Sequence, residues 1–384
     1  MTAPARGPRA LALRALTRID EDGGYANLVL AAELGRTELD RRDRALVTAL
    51  VNGTTRMQRA CDHLVDRYLQ REIDPDVRRI LRLGAYQLVF MQIPPHAAVS
   101  ATVSLAPRRV SGLINAVLRR VSEHPLDPGD PTQWPDEATR LSYPDWIVER
   151  LTADLGSDDA VAALTAMNVP APATTRDDGY VQDAASQAVV DVVGATPDEL
   201  VVDLCAAPGG KATALAGDAK RVIALDHTSG RVGLIVANAA TTGVASRLDP
   251  VVADGRQPPL RPGCADAVLL DAPCSGLGSL RRRADARWRI TAADVDSLAA
   301  LQAELLVAAA ALVRPGGRLV YSVCTLTEAE TDAVAARFVS AMPAFVADPL
   351  GDAWKPAGVG ARLMPTVDGR DGMSCFRFRR SSTA

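Results

Sequence analysis

The spacing of hydrophobic residues divides the chain in two. As far as residue 125 they recur at helical intervals: Ala10 to Ile19; Leu46, Leu50 and Gly53 behind Asp43; Val77, Ile80, Leu81, Gly84 and Leu88; Leu113, Ile114, Val117 and Leu118. That predicts a helical bundle over 1–125, with Gly84 letting two helices approach closely. Pro125, Pro128, Gly129, Pro131 and Pro135 then punctuate a polar stretch expected to be loop. Leu141 to Ile147 opens a further helix, with Tyr143 and Trp146 as aromatic anchors for the linker. From Glu199 onward short apolar runs alternate with helical patterns. Strands are expected at 201–205, 221–225, 267–271 and 318–323, and helices at 211–218, 231–242, 296–313 and 327–341. This alternation predicts an α/β domain with a mostly parallel sheet covered on both faces. The expected division is a helical domain at 1–125, a linker with a short subdomain at 126–180, and the sheet domain at 181–384.

The sheet domain is organised around Val201-Val202-Asp203-Leu204-Cys205-Ala206-Ala207-Pro208-Gly209-Gly210-Lys211. This reads as strand, tight glycine turn, helix. Glycines there let backbone amides approach a ligand at the carboxyl end of a strand, where open α/β sheets bind cofactors. The turn is neither G-x-G-x-x-G nor G-x-x-x-x-G-K-[ST], which disfavours a dinucleotide and a nucleoside triphosphate. Asp226, Asp254 and Asp271 follow three apolar runs. One such carboxylate is ordinarily a cap or turn residue. Several along one sheet edge, beside a glycine turn, fit S-adenosylmethionine: Asp226 for the ribose, Asp254 for the adenine, and Arg231 as support for the pocket.

Charge changes the picture of the first domain. Residues 1–125 carry 19 arginines and no lysine against 13 acidic residues, a balance of +6 within a chain whose net charge is −3. A basic domain ahead of an acidic one points to an anionic partner, with nucleic acid first in line. The six cysteines are scattered with no C-x-x-C pair, and none of the four histidines is paired at i,i+4, so neither a metal site nor a disulfide framework is expected. The first nine residues are basic but lead into no long apolar core, and Ala303–Val313 is too short for a membrane span. A cytoplasmic, non-membrane, monomeric protein is the expectation.

Two cysteines stand apart. Asp271-Ala272-Pro273-Cys274-Ser275-Gly276 ends one expected strand, and Tyr321-Ser322-Val323-Cys324-Thr325 ends another. A lone cysteine is usually a buried structural residue. Two at strand ends beside a cofactor turn suit methylation of cytosine carbon 5, which is not nucleophilic enough unaided. A thiolate adding to carbon 6 makes carbon 5 enamine-like, so that it attacks an activated methyl group; loss of the carbon 5 proton and elimination of the thiol follow. An acid near N3 assists the addition. The Asn/Asp-Pro-Pro-aromatic turn of amino-methylating enzymes is absent.

Together, Asp-Leu-Cys-Ala-Ala-Pro-Gly-Gly-Lys, Asp-Ala-Pro-Cys-Ser-Gly and Tyr-Ser-x-Cys-Thr resemble the bacterial RNA cytosine-C5 methyltransferases called RsmB, Fmu or Sun. Asp43-Arg44-Ala45-Leu46-Val47, Gly53 with Arg56, Gly84-Ala85-Tyr86-Gln87-Leu88 and Asn115 to Arg120 resemble the NusB-like helical RNA-binding domain often fused ahead of them. The resemblance, from about residue 8 to residue 380, implies a Rossmann-like S-adenosylmethionine-dependent methyltransferase acting on RNA, with 16S rRNA foremost. It implies Cys324 as nucleophile, Cys274 in release of the product, Asp271 at the cytosine, and Lys211 reaching toward the base. Cys205, Ala206, Ala207, Pro208, Gly209 and Gly210 would wrap the methionine end of the cofactor.

The chain departs from the family's wording in three places. Asn168 to Pro172 and Arg176 look like the start of a small RNA-seating subdomain, yet Val181-Gln182-Asp183-Ala184-Ala185-Ser186-Gln187 follows almost at once, so that subdomain is shortened. Arg281-Arg282-Arg283-Ala284 stands where the family has Arg-Arg-His-Pro, with Arg283 and Ala284 as the departures; the three arginines, with Arg287-Trp288-Arg289 after them, are expected to grip RNA phosphate. Met373-Ser374 replaces Phe-Phe, with loss of aromatic surface expected. Cys61, Cys264 and Cys375 read as structural. Two other readings remain: an RNA-binding or ribosome-assembly protein that keeps the cofactor fold without turnover, and a transfer RNA methyltransferase of the same chemistry.

Overall fold

The computed structural model describes residues 7–366 and 369–382; the first six residues of the amino-terminal reading lie outside them. Contacts divide the chain into two units, Met1–Glu149 with Arg283–Arg289, and Arg150–Arg282 with Ile290–Ala384, so that residues 126–180, expected as linker and short subdomain, are shared between the two.

The first unit is helical. Pro8–Glu21, Ala26–Gly35, Arg41–Arg56, Gln58–Asp66, Pro75–Ala85, Pro95–Val103 and Arg108–Glu123 are its principal helices. Their starts follow from local chemistry: the Asp40 carboxylate accepts from the Asp43 amide at 2.8 Å, and Asp74 accepts from Asp76 at 2.9 Å ahead of Pro75. Glycines set two close approaches. A Cβ on Gly84 would lie 2.5 Å from Leu118 Cδ1, and one on Gly53 would lie 1.9 Å from the Tyr86 ring. In the linker the Trp134 indole donates to the Asp127 carbonyl at 2.9 Å. Tyr143 is fully buried, whereas Trp146 is half-buried.

The second unit holds one sheet of nine strands: β1 (Leu200–Asp203), β2 (Arg221–Asp226), β3 (Leu248–Val252), β4 (Ala265–Asp271), β5 (Val313–Val323), β6 (Phe345–Ala347), β7 (Lys355–Ala357), β8 (Gly360–Leu363) and β9 (Met373–Arg380). The order is β3-β2-β1-β4-β5-β9-β8-β7, with β6 also on β9. β1 to β5 pair parallel, and β9 runs antiparallel to β5. β1 and β4 are apolar almost throughout because helices cover both faces.

Three details differ from the sequence expectations. The edge strand β3 carries Pro250, tolerated because an edge strand need not donate on both sides. The last expected helix begins at Asp332, because Glu328–Glu330 forms a separate 3-10 turn that buries Glu330. The expectation that Ala303–Val313 is too short for a membrane span is corrected: it belongs mostly to the helix Ala292–Leu312, which is by length and composition long and apolar enough to cross one. It starts in a Thr291/Asp294 capping box and packs against β4, β5 and the helix Asp332–Ala341, burying Val295, Ala299, Leu305, Leu306 and Ala309. Its apolarity is that of a core helix.

Gly53→Ala is expected to destabilise the helical unit by about 1–3 kcal/mol, since the methyl group must displace the Tyr86 ring. Chemical denaturation of the variant checks this; an unchanged midpoint would mean that the ring moves without cost.

Candidate functional site

Parallel pairing brings the carboxyl ends of β1, β2, β4 and β5 to one edge of the sheet. β1 ends at Asp203, and the chain turns through Cys205 to Gly209 into the helix Gly210–Asp218. Gly209 has φ +107°, a conformation that other residues rarely adopt. The turn is braced from three sides. Arg231 donates to the Ala207 carbonyl at 3.0 Å, Asn238 donates to the Pro208 carbonyl at 2.8 Å, and Arg176 donates to the Gly210 carbonyl. Arg176 also stacks on Tyr180, 4.8 Å from its ring centroid. Both residues belong to the shortened 168–183 segment, whose only regular pairing is a Thr175–Val181 bridge. The segment thus supports the glycine turn through Arg176.

Asp226, at the end of β2, is nearly buried and lies 3.4 Å from the Arg231 guanidinium. Asp254, beyond β3, is exposed and paired with Arg256 at 2.7 Å. That hydrogen-bonded pairing holds its carboxyl down at about 2. Both of its oxygens accept from Arg256, so a cofactor amine would have to displace or share those bonds.

Lys211, Asp271, Ser322, Cys274 and Cys324 come together. Lys211 Nζ donates to Asp271 Oδ2 at 2.6 Å, and Ser322 Oγ donates to Asp271 Oδ1 at 2.8 Å. The Cys274 and Cys324 sulfurs are 3.3 Å apart, both half-buried. Their hydrogen bond, together with burial, pushes the Cys274 thiol well up, and the charges of Glu330 and Asp271 add to this. Burial alone would lower the Lys211 ammonium, but the charge and hydrogen bond of Asp271, with Cys324 and Asp203 nearby, raise it instead. Cys205 is raised mainly by burial. Of the cysteines read as structural, Cys61 and Cys375 are fully buried; Cys375 is raised by burial and, less, by Asp271. Cys264 is half-buried. Among the described residues no group of three or more His, Cys, Asp and Glu side chains could hold a metal ion.

Asp203 was passed over as a site residue in the sequence. Apart from a loose approach of the Cys205 amide, neither oxygen of its buried carboxyl has a partner. Burial and the neighbouring Asp271 push it up to about 8. Its place at the strand end was a signal, but its neighbours were not visible. Ser322 lies within Tyr-Ser-x-Cys-Thr, and only the register of β5 on β4 brings it to Asp271.

The arginine cluster is a correction. Arg281 is buried, donating to the Ala166 and Thr366 carbonyls at 2.6 Å, and Arg282 bridges Asp371 at 2.7 Å and Asp183 at 2.6 Å. These guanidiniums are spent on the protein itself. Arg287 is fully buried over the Tyr143 ring, and Trp288 and Arg289 donate to the Thr55 and Gly23 carbonyls. Arg283 is exposed. Met373 and Ser374 are buried, with Ser374 donating to the Thr325 carbonyl at 3.0 Å, so that position offers no surface for stacking.

A parallel sheet with a glycine turn after β1 and carboxylates at the neighbouring strand ends is the fold of a S-adenosylmethionine-dependent methyltransferase. Residues 191–379 match the family described as 16S rRNA methyltransferase RsmB/F, and residues 6–123 match the NusB family. Ribosomal RNA small subunit methyltransferase B of Thermus thermophilus is 36% identical over 408 aligned positions, covering 97% of this chain and 97% of that protein. A putative methyltransferase of Mycobacterium tuberculosis, Rv1407, is 34% identical over 468 positions, covering 99% of this chain and 100% of that protein. That alignment is longer than this chain, so the relative carries segments with no counterpart here. The crystal structure of PH0851 shares the fold with TM-score 0.76 at 22% identity, covering 98% of this chain and 99% of that one. The chain belongs to the RsmB/Fmu/Sun family of bacterial ribosomal RNA methyltransferases, with a NusB domain ahead of its methyltransferase domain.

Between about 3.9, the ordinary value in an unfolded chain, and about 8, the folded chain keeps a proton on Asp203 that the unfolded chain releases. Stability from this group is therefore lost as pH rises through that window. Without cofactor, Asp203→Asn is expected to melt with a smaller loss than the unsubstituted protein between pH 5 and pH 9; identical pH profiles would contradict the assignment.

Proposed function

We propose that this protein methylates carbon 5 of a cytosine in 16S rRNA through a covalent Cys324 adduct, acting in the cytoplasm as a monomer and without a metal. The observation that carries the reading is the pair of thiols 3.3 Å apart beside the Lys211–Asp271 ion pair. The cofactor fits this edge. Asp203 offers a buried, unpartnered carboxyl at the glycine turn, and Asp226 offers a carboxylate at the next strand end. Cys205, Ala206, Ala207, Pro208, Gly209, Gly210 and Lys211 would hold the methionine end, Asp226 with Arg231 the ribose, and Asp254 the adenine. When bound, S-adenosylmethionine supplies an electrophilic methyl group on a sulfonium.

The residues divide the work. The Cys324 thiolate adds to carbon 6, and the positive charge of Lys211 favours that thiolate. Asp271, steadied by Lys211 and Ser322, faces the N3 edge of the cytosine and supports the charge shift during addition. The raised Cys274 thiol keeps its proton and donates it to the Cys324 sulfur as the carbon–sulfur bond breaks. Its thiolate is placed to take up the carbon 5 proton in the same elimination, which restores the Cys274 thiol and leaves Cys324 as a thiol that gives the reaction's one net proton to solvent before its thiolate adds again. Exposed Arg283 is left as a candidate for RNA phosphate, with the basic charge of 1–125.

Cys324→Ala is expected to abolish methyl transfer to unmethylated 16S rRNA while still binding cofactor. Cys274→Ala is expected to accumulate a protein–RNA adduct, seen as a retarded band on a denaturing gel. Full activity of Cys324→Ala would overturn the nucleophile assignment, and a Cys274→Ala enzyme that turns over without adduct would overturn the release role.

A further inference from the structure

Cys274 lies in a loop, residues 272–276, that has no strand or helix of its own. Its position against Cys324 therefore depends on side-chain bonds. Most of these converge on Glu330, which is fully buried and, among the described residues, makes no ion pair. Glu330 Oε1 accepts from the Ser275 amide at 2.8 Å and from Gln302 Nε2 at 3.1 Å. Glu330 Oε2 accepts from Ser275 Oγ at 2.5 Å and from Thr327 Oγ1 at 2.9 Å. Gln302 Nε2 also donates to the Pro273 carbonyl at 2.9 Å, so the residues on either side of Cys274 are both held. The Tyr321 hydroxyl shares its one proton between the Glu330 carbonyl at 2.6 Å and Gln302 Oε1 at 3.0 Å, tying the same group to β5.

The other cysteine meets this network from its own strand end. Thr325, which follows Cys324, has its hydroxyl 3.0 Å from Ser275 Oγ. The residues immediately after the two cysteines thus touch each other, and Ser275 carries that contact on to the Glu330 carboxylate. Burying a carboxylate without a cation is costly, and an apolar residue would fill the space at less expense. Four donors offset that cost here, and what the carboxylate gains over an apolar group is a fixed loop.

We propose that Glu330 is the positioning residue that holds Cys274 within reach of Cys324 for release of the methylated base. The proposal rests on the covalent reading of the preceding section. Glu330 touches neither cysteine sulfur and acts through Ser275 and the Gln302–Pro273 contact. Nucleophilic addition by Cys324 does not need Cys274 in register, but release does. Loss of Glu330 should therefore separate the first turnover from those that follow.

The test compares Glu330→Ala, Glu330→Gln and Cys274→Ala in the full chain, with S-adenosylmethionine and unmethylated 16S rRNA. Single-turnover methyl incorporation, steady-state turnover and adduct on a denaturing gel are read together, with thermal melting as a check on folding. Glu330→Ala is expected to keep its first turnover, to lose roughly ten- to a hundredfold in steady state, and to accumulate adduct as Cys274→Ala does. Glu330→Gln keeps the shape and an acceptor oxygen for the Ser275 amide, and is expected to restore most of the steady-state rate. The proposal is overturned if folded Glu330→Ala turns over normally, if its first turnover falls as far as its steady state, or if Glu330→Gln restores nothing. Should Glu330→Ala not fold, Ser275→Ala removes one donor, and absence of adduct in it is equally fatal. Adduct in Cys274→Ala but not in the Glu330 variants sinks this proposal alone; no adduct in Cys274→Ala sinks the covalent reading and this proposal with it.

Discussion

The parallel pairing of β4 with β5, which sets Asp271 opposite Ser322, is the constraint on which the site depends. Once those two residues are opposite, the Ser322 hydroxyl reaches the Asp271 carboxylate, Cys324 follows the end of β5 directly, and Cys274 follows the end of β4 after Ala272 and Pro273. The sulfurs then meet at 3.3 Å although 50 residues separate them in sequence. The pairing itself follows from apolar strands that must be covered on both faces, which is what the helices on either side of the sheet supply. A register slip of one residue would turn Asp271 away from Ser322 and part the two thiols.

Electrostatics at this edge are set by scarcity of positive charge. Asp203, Asp271 and Asp226 influence one another near Cys205, and Lys211 is the ammonium set among them. In so buried a place unlike charges hold one another firmly, and a carboxyl with neither a cation nor firm hydrogen-bond donors is driven to take a proton. Asp271 has Lys211; Asp203 has no such partner and is pushed up to about 8. The edge is thus short of donors in the way that a pocket for a cationic ligand would be.

The sequence made much of this legible, because motifs ending at strands report on the carboxyl edge of a parallel sheet. The positions of Asp203, Asp226, Asp271, Cys274 and Cys324 could be read from apolar runs alone, and Gly84 already implied a close helix contact. The arginine cluster misled for a physical reason. A run of charge reads as solvated until carbonyls far away in the chain are known, and Arg281 finds one at Ala166 and another at Thr366. Glu330 sat in Thr-Glu-Ala-Glu-Thr, which has the look of an exposed helix start, and its burial depends on donors at Ser275 and Gln302. The short strands β6, β7 and β8 have three or four residues each, too few to show alternation.

What the two thiols act on is decided by a labelling experiment. Purified protein is incubated with tritiated S-adenosylmethionine and unmethylated 16S rRNA, with transfer RNA in parallel, and the product is located by bisulfite sequencing. The covalent cytosine chemistry predicts label at carbon 5 of a single cytosine in 16S rRNA and none in transfer RNA. Label confined to transfer RNA would contradict the substrate, and no label in either RNA, with cofactor still bound, would contradict the chemistry.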